Sequence, residues 1–161
     1  MKKNIIAIVL TLIMMITAVP LTSAAEAPAT EANNLTTITY LDDGSYIVKT
    51  ITSIPSQTRA TTFTKSGNIV ASHYSGDDEL LWQYTLYADF EVVSGVSAVC
   101  TNARYVQNIY ASGWSFSDGQ ATASGDTAYG AGIFKKKVLF ITTSTVEIDL
   151  NIVCDVYGNL S

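Results

Sequence analysis

Apolar residues alternate with polar ones along the middle of the chain. Leu80, Trp82, Tyr84, Leu86, Ala88, Phe90 and Val92 share one parity, with Gln83, Thr85, Asp89 and Glu91 between them. Period two predicts a β-strand with one face turned to a core. Ser94-Gly95 then interrupts the pattern before a second segment that ends at Cys100. A longer run of single parity lies near the end: Val138, Phe140, Thr142, Ser144, Val146, Ile148, Leu150, Ile152 and Cys154. It is too long for one ordinary strand, so a bend or a bulge is expected around residues 142–145.

Upstream, "LTTITYL" and "SYIVKTITSI" flank Asp42-Asp43-Gly44, a tight-turn sequence between β-prone runs. "TRATTFTKSGNIVASHY" reads as a second such pair with Ser66-Gly67-Asn68 at its turn, and "SGDDE" separates it from the strand at 80–92. After Cys100 the alternation weakens into short β-prone pieces at 105–110 and 114–116, broken by Ser112-Gly113. A stretch rich in small residues follows, suited either to close approach of strands or to a loop. No segment after the expected signal peptide offers a ten-residue helical face with helix-forming composition. The expectation is one all-β domain over 35–161, an antiparallel β-sandwich with a small β-barrel as the alternative.

The N-terminus changes the setting. Lys2 and Lys3, the apolar run "NIIAIVLTLIMMITAVPL" and the small residues of "TSAAEA" read as a signal peptide over 1–25, cut after Ala25 with Ala27 as second choice. Residues 26–34, "EAPATEANN", read as a flexible leader. The protein is therefore expected outside the cell. Cys100 and Cys154 sit on the apolar parity of their strands, and an oxidising compartment favours a disulfide between them. Two buried free thiols or an intermolecular bridge are the alternatives.

Charge narrows the partners. The formal net charge is −5, and loss of Lys2 and Lys3 makes the mature chain more acidic, which disfavours nucleic acid. The basic cluster Lys135-Lys136-Lys137 reads first as a turn or a protected strand edge, with contact to anionic polymer or lipid headgroups as the alternative. Membrane insertion is not expected. The apolar stretch "IFKKKVLFITTSTVEI" fits a buried strand as well as a hairpin that leaves its core.

The chemistry-bearing residues are few. His73 is the only histidine, and beside Ser75, Asp77 and Asp78 it reads as an exposed loop residue. That spacing is too tight for a triad assembled across a fold. Asp89 and Glu91 share a face about 6.7 Å apart along a strand, a tolerable fit to an inverting glycosidase and an equally good one to a solvated face. No enzyme is expected. Asp42 and Asp43, with Asp77, Asp78 and Glu79, form two acidic turns that are weak calcium candidates; no other cofactor is implied. Tyr87, Tyr105, Tyr110, Trp114 and Tyr129 are the candidate binding residues, because flat rings with polar neighbours can grip a sugar or a protein. The composite expectation is a secreted, non-catalytic module that binds an envelope polymer, glycan or extracellular protein. A membrane-active or antimicrobial protein is the alternative.

"GDDELLWQYTLYADFEVVSGVSAVCTNA", "GWSF", "ATASGDTAYGAG" and "VEIDLNIVCDVYGNLS" together resemble a group of small secreted two-cysteine β proteins of Gram-positive, largely clostridial bacteria. The resemblance rests on Gly76, Leu81, Trp82, Leu86, Cys100, Trp114, Ser124, Gly125, Ala128, Cys154, Gly158, Asn159, Leu160 and Ser161, and covers roughly residues 65–161. The spacing between Gly76 and Leu81 is one residue longer than in the group's pattern. The resemblance implies secretion and a β fold; the group has no established activity to carry over.

Overall fold

The computed structural model describes residues 34–54 and 61–161. The expected signal peptide, and all of the expected leader except Asn34, lie outside the described residues. Eight antiparallel strands follow in order: β1 (Leu35–Tyr40), β2 (Tyr46–Ser53), β3 (Thr62–Tyr74), β4 (Leu80–Val93), β5 (Ser97–Ile109), β6 (Trp114–Ser124), β7 (Thr127–Val138) and β8 (Ile141–Val153). They form two meanders, a five-stranded sheet β1-β2-β3-β4-β5 and a three-stranded sheet β6-β7-β8. The two pack face to face as a sandwich. Alternation in β4 has the expected cause: Trp82, Tyr84, Leu86, Ala88, Phe90 and Val92 are all buried between the sheets.

Between the sheets, β4 packs its aromatic residues on β7. Trp82 and Phe134 stack with ring centroids 3.8 Å apart and planes 3° from parallel. The Tyr84 hydroxyl crosses the core and donates to the Gln120 carbonyl at 2.7 Å, with the Ala131 carbonyl at 3.2 Å. Gln120 follows a bulge in β6, where the register with β7 shifts. A tyrosine of the five-stranded sheet thus binds backbone carbonyls of the three-stranded sheet beside the bulge. This approach needs β7 to be small. A Cβ on Gly132 would stand 2.4 Å from the Phe116 ring, and one on Gly130 would press on Leu86 and the Tyr84 hydroxyl. The small-residue stretch is two close-packed strands joined at the Gly125-Asp126 turn, not a long loop.

Three expectations are corrected. Ser66-Gly67-Asn68 lies inside β3, not at a turn. Gly67 is buried there because the Leu160 side chain, brought back by the bridge between Cys154 and Leu160, occupies the space a Cβ would take. The long final parity run is two strands. A bulge does fall at Thr143, opposite the Lys136/Lys137 step, but Leu139 and Phe140 form a two-residue hairpin turn between β7 and β8.

The third correction concerns the cysteines. Cys100 and Cys154 are both buried free thiols, with no disulfide between them. Shared parity places both in the core but does not aim their sulfurs at each other. The Gly125-Asp126 turn is held by both strands: the Cys100 amide donates to Gly125 O and the Cys154 amide to Asp126 O. Each thiol instead makes a weak bond to a carbonyl of its own chain segment, Asn102 O and Asp155 O, both at 3.5 Å. Burial raises both thiol pKa values, that of Cys154 to about 11.

Two outcomes are expected. A thiol reagent added without reductant will find two reactive thiols per chain in denaturant and will react far more slowly with the native protein, because a buried protonated thiol is a poor nucleophile. Gly132→Ala will lower stability by about 1–3 kcal/mol through overpacking, and Tyr84→Phe by about 1–2 kcal/mol by orphaning a carbonyl, both read from urea unfolding.

Candidate functional site

Three strands cannot cover five. β5 and β6 are consecutive and close one side of the sandwich, with Tyr105 stacked on Tyr84 at 5.4 Å and edged by Phe116. On the other side β1 and β2 extend past β8, and every residue of β1 is exposed. The uncovered flank is a groove of about 550 Å³ between β1–β2 and β8. Leu41, Ile47, Val146 and Ile148 give it apolar lining, and Asp42, Asp43, Glu147 and Lys49 supply charge. Lys49 spans toward β8, its Nζ donating to Asp149 O at 3.4 Å.

Asp43 fixes the turn at the groove's mouth. One of its carboxylate oxygens accepts from Ser45 N at 3.0 Å and from Ser45 Oγ at 2.6 Å, and these bonds hold its pKa below the ordinary value. Ser45 Oγ also meets His73 Nε2 at 2.8 Å. The serine proton is committed to Asp43, so Nε2 carries the hydrogen and donates to Ser45. This is a Ser-His contact wired in the wrong sense for a nucleophile, because the carboxylate faces the serine and not the imidazole. His73 is 1 % exposed, inside β3, packed against Trp82 and Trp114 with centroids at 4.9 and 5.4 Å. The expected exposed loop histidine is thus a core residue: it shares the inward parity of Ile69 and Ala71. Among the described residues its Nδ1 has no hydrogen-bond partner, nor do the Nε1 atoms of Trp82 and Trp114. Burial pushes its pKa down.

The two acidic turns do lie side by side at one end of the five-stranded sheet; a Cβ on Gly76 would stand 3.3 Å from Gly44 O. Among the described residues, however, no three His, Cys, Asp or Glu side chains come together as a metal site. Asp78 is instead the acceptor for the Tyr46 hydroxyl at 2.8 Å, which raises the Tyr46 pKa to about 12. Asp89 accepts from Ser66 Oγ at 2.6 Å and Asn102 Nδ2 at 3.1 Å, and its pKa is lowered chiefly by these two bonds. An ionised, doubly bonded Asp89 is poorly set up to act as a proton donor beside Glu91.

The five aromatic residues singled out by sequence do not converge. Tyr87 lies on the outer face of the five-stranded sheet under the Arg104 guanidinium, 4.1 Å from its ring centroid. Tyr105 and Trp114 pack at the core's margin, and Tyr110 donates to Gln83 Oε1 at 2.9 Å. Tyr129 stands on the three-stranded sheet beside a shallow depression shared with Gln120, Thr122, Asp149 and Asn151. A different set does line up: Tyr40, Tyr46 and Tyr74 are paired across β1, β2 and β3, with centroid spacings of 5.8 and 5.2 Å. Strand alternation turns Ile47 and His73 inward and so turns their neighbours Tyr46 and Tyr74 outward, which the reading of His73 as a loop residue had hidden.

His73 makes stability depend on pH. Its folded pKa lies below the unfolded value of about 6.5, so its contribution is complete above that pH and falls as pH drops, by at most about 1.4 kcal/mol per unit. The unfolding midpoint should decline between pH 7.5 and 5.5, and His73→Gln should flatten that slope whatever it does to stability at neutral pH. No helix among the described residues is long and apolar enough to cross a membrane. No protein-family model matches the chain, and neither a curated protein nor a solved structure matches it.

Proposed function

We propose that the protein is a secreted, non-catalytic binding module that takes an envelope glycan in the groove between β1–β2 and β8. The observation that carries this reading is the groove's composition: apolar lining at Leu41, Ile47, Val146 and Ile148, with three carboxylates and one lysine around it. Its volume lies in the range of small-ligand sites, and few polar groups on an apolar floor is their usual makeup. A sugar presents a C–H face and a rim of hydroxyl donors. The apolar lining suits the face, and Asp42, Asp43 and Glu147 accept from the rim. The excess of carboxylates favours a neutral or amine-bearing glycan over a phosphate-bearing polymer. Secretion rests on the basic, apolar and small-residue succession of residues 1–25.

The test is sedimentation of the protein with washed cell envelopes across a salt series. Retention at high salt is expected, because the contacts are short-range and partly apolar. Thr39→Trp places a bulky ring in the groove from an exposed strand position that tolerates it; stability should stay within about 0.5 kcal/mol of the parent while retention is lost. Absence of retention at every salt concentration would sink the envelope reading. Retention equal in the parent and in Thr39→Trp would move the site out of the groove.

A further inference from the structure

The β7–β8 hairpin runs past the rest of its sheet. The last β6–β7 pair is Trp114 with Lys136, and beyond it Val138 pairs only with Ile141 across the turn. The four residues of the tip, Val138, Leu139, Phe140 and Ile141, are all apolar and all exposed, Leu139 at 86 % and Phe140 at 99 %. Both turn residues have positive φ, 48° for Leu139 and 71° for Phe140. A two-residue hairpin with positive φ at both positions is the place for Asn-Gly, and a bulky side chain there is strained. Leu and Phe therefore make this turn worse and leave the two largest apolar side chains of the tip in water. Strain kept at an exposed position points to what the side chains touch, not to the turn they form.

The flanking charge says what that is. Lys135, Lys136 and Lys137 precede the tip, and the hairpin from 133 to 146 contains no acidic residue. Lys137 and Lys135 stand two and four residues from Leu139, roughly 7 and 13 Å along the strand. We propose that this tip docks on an anionic lipid bilayer, with Leu139 and Phe140 entering the interface and the three lysines meeting the headgroups. A convex tip of four side chains is too small for a stable protein interface, whereas apolar wedge plus basic collar is the arrangement that binds a charged bilayer surface. No strand has to cross the membrane. Asp42, Asp43, Asp77, Asp78 and Glu79 sit at the same end but on the other sheet, where an anionic surface repels them. The sandwich must therefore lean, with the β7–β8 hairpin leading. The inference does not depend on the groove.

The test compares the full chain with L139N/F140G, both carrying the same N-terminus, by flotation with vesicles of phosphatidylglycerol mixed with phosphatidylcholine and of phosphatidylcholine alone. The variant installs the favoured turn pair, so its thermal midpoint should rise while its partition onto anionic vesicles falls by about tenfold or more. K136Q/K137Q should weaken the same binding roughly fivefold per lysine at low salt, and a Phe140→Trp variant should show a blue-shifted emission on anionic vesicles. Equal partition of the parent and L139N/F140G would overturn the proposal. So would a monomeric L139N/F140G against a dimeric parent that ignores vesicles, which would make the tip a subunit contact. Binding that is the same on both vesicle types would overturn the role of the lysines, and a lowered midpoint in L139N/F140G would overturn the strain argument.

Discussion

The stacking of Trp82 on Phe134, with the Tyr84 hydroxyl reaching the backbone of β6, sets how closely the two sheets approach. Beside the stack, Gly130 and Gly132 keep β7 bare where a Cβ would meet Leu86, the Tyr84 side chain or the Phe116 ring. The contact also brings in its own polar closure. A tyrosine hydroxyl in a core is costly unless it finds an acceptor, and a β-bulge leaves carbonyls that need a donor. The Tyr84 hydroxyl finds its acceptor at Gln120, beside the bulge in β6, and so ties the two sheets together.

From that contact the rest of the layout follows. The three-stranded sheet is centred on β4 and held on the β5 side by Tyr105 and Phe116. It cannot then reach β1, whose residues stay exposed on both faces. The groove is the consequence of this imbalance, an apolar flank that folding leaves partly open. At one end β7 and β8 also run past β6, whose side ends with Gly113 O accepting from Lys137 N. The two surfaces offered here for binding are thus uncovered margins of an uneven sandwich.

Several polar side chains tie strands and turns together. Asp43, Ser45 and His73 form a chain that seals the β1–β2 turn against the core, and Asp89 ties Ser66 of β3 to Asn102 of β5. Lys65 is buried with its amine on Ile54 O at 2.9 Å, and burial lowers its pKa. Groups held this way have little freedom to accept or deliver protons to a ligand. Among the described residues, the groove's Asp42 and Glu147 are not tied into these bonds, and neither is the apolar hairpin tip.

Alternation in β4 and β8 was enough to predict an all-β domain, with a sandwich preferred to a barrel, because burial on one face of a strand imposes a period of two that survives in the residue types. The same rule failed where a bulge shifts the parity. Beyond the bulge at Thr101, the inward set changes from Ala98 and Cys100 to Ala103 and Tyr105, so β5 read as a weak pattern. Gly67 read as a turn because nothing local reveals Leu160 lying on it. The cysteines shared a core without sharing a bond, since parity chooses a face and not the distance across it. Leu139-Phe140 concealed a turn, because apolar residues extend a strand pattern even where the backbone reverses. The sequence by itself determined which residues prefer the interior. Only the tertiary structure decided which of them were left outside, because coverage depends on how many strands lie opposite, and no single strand carries that information.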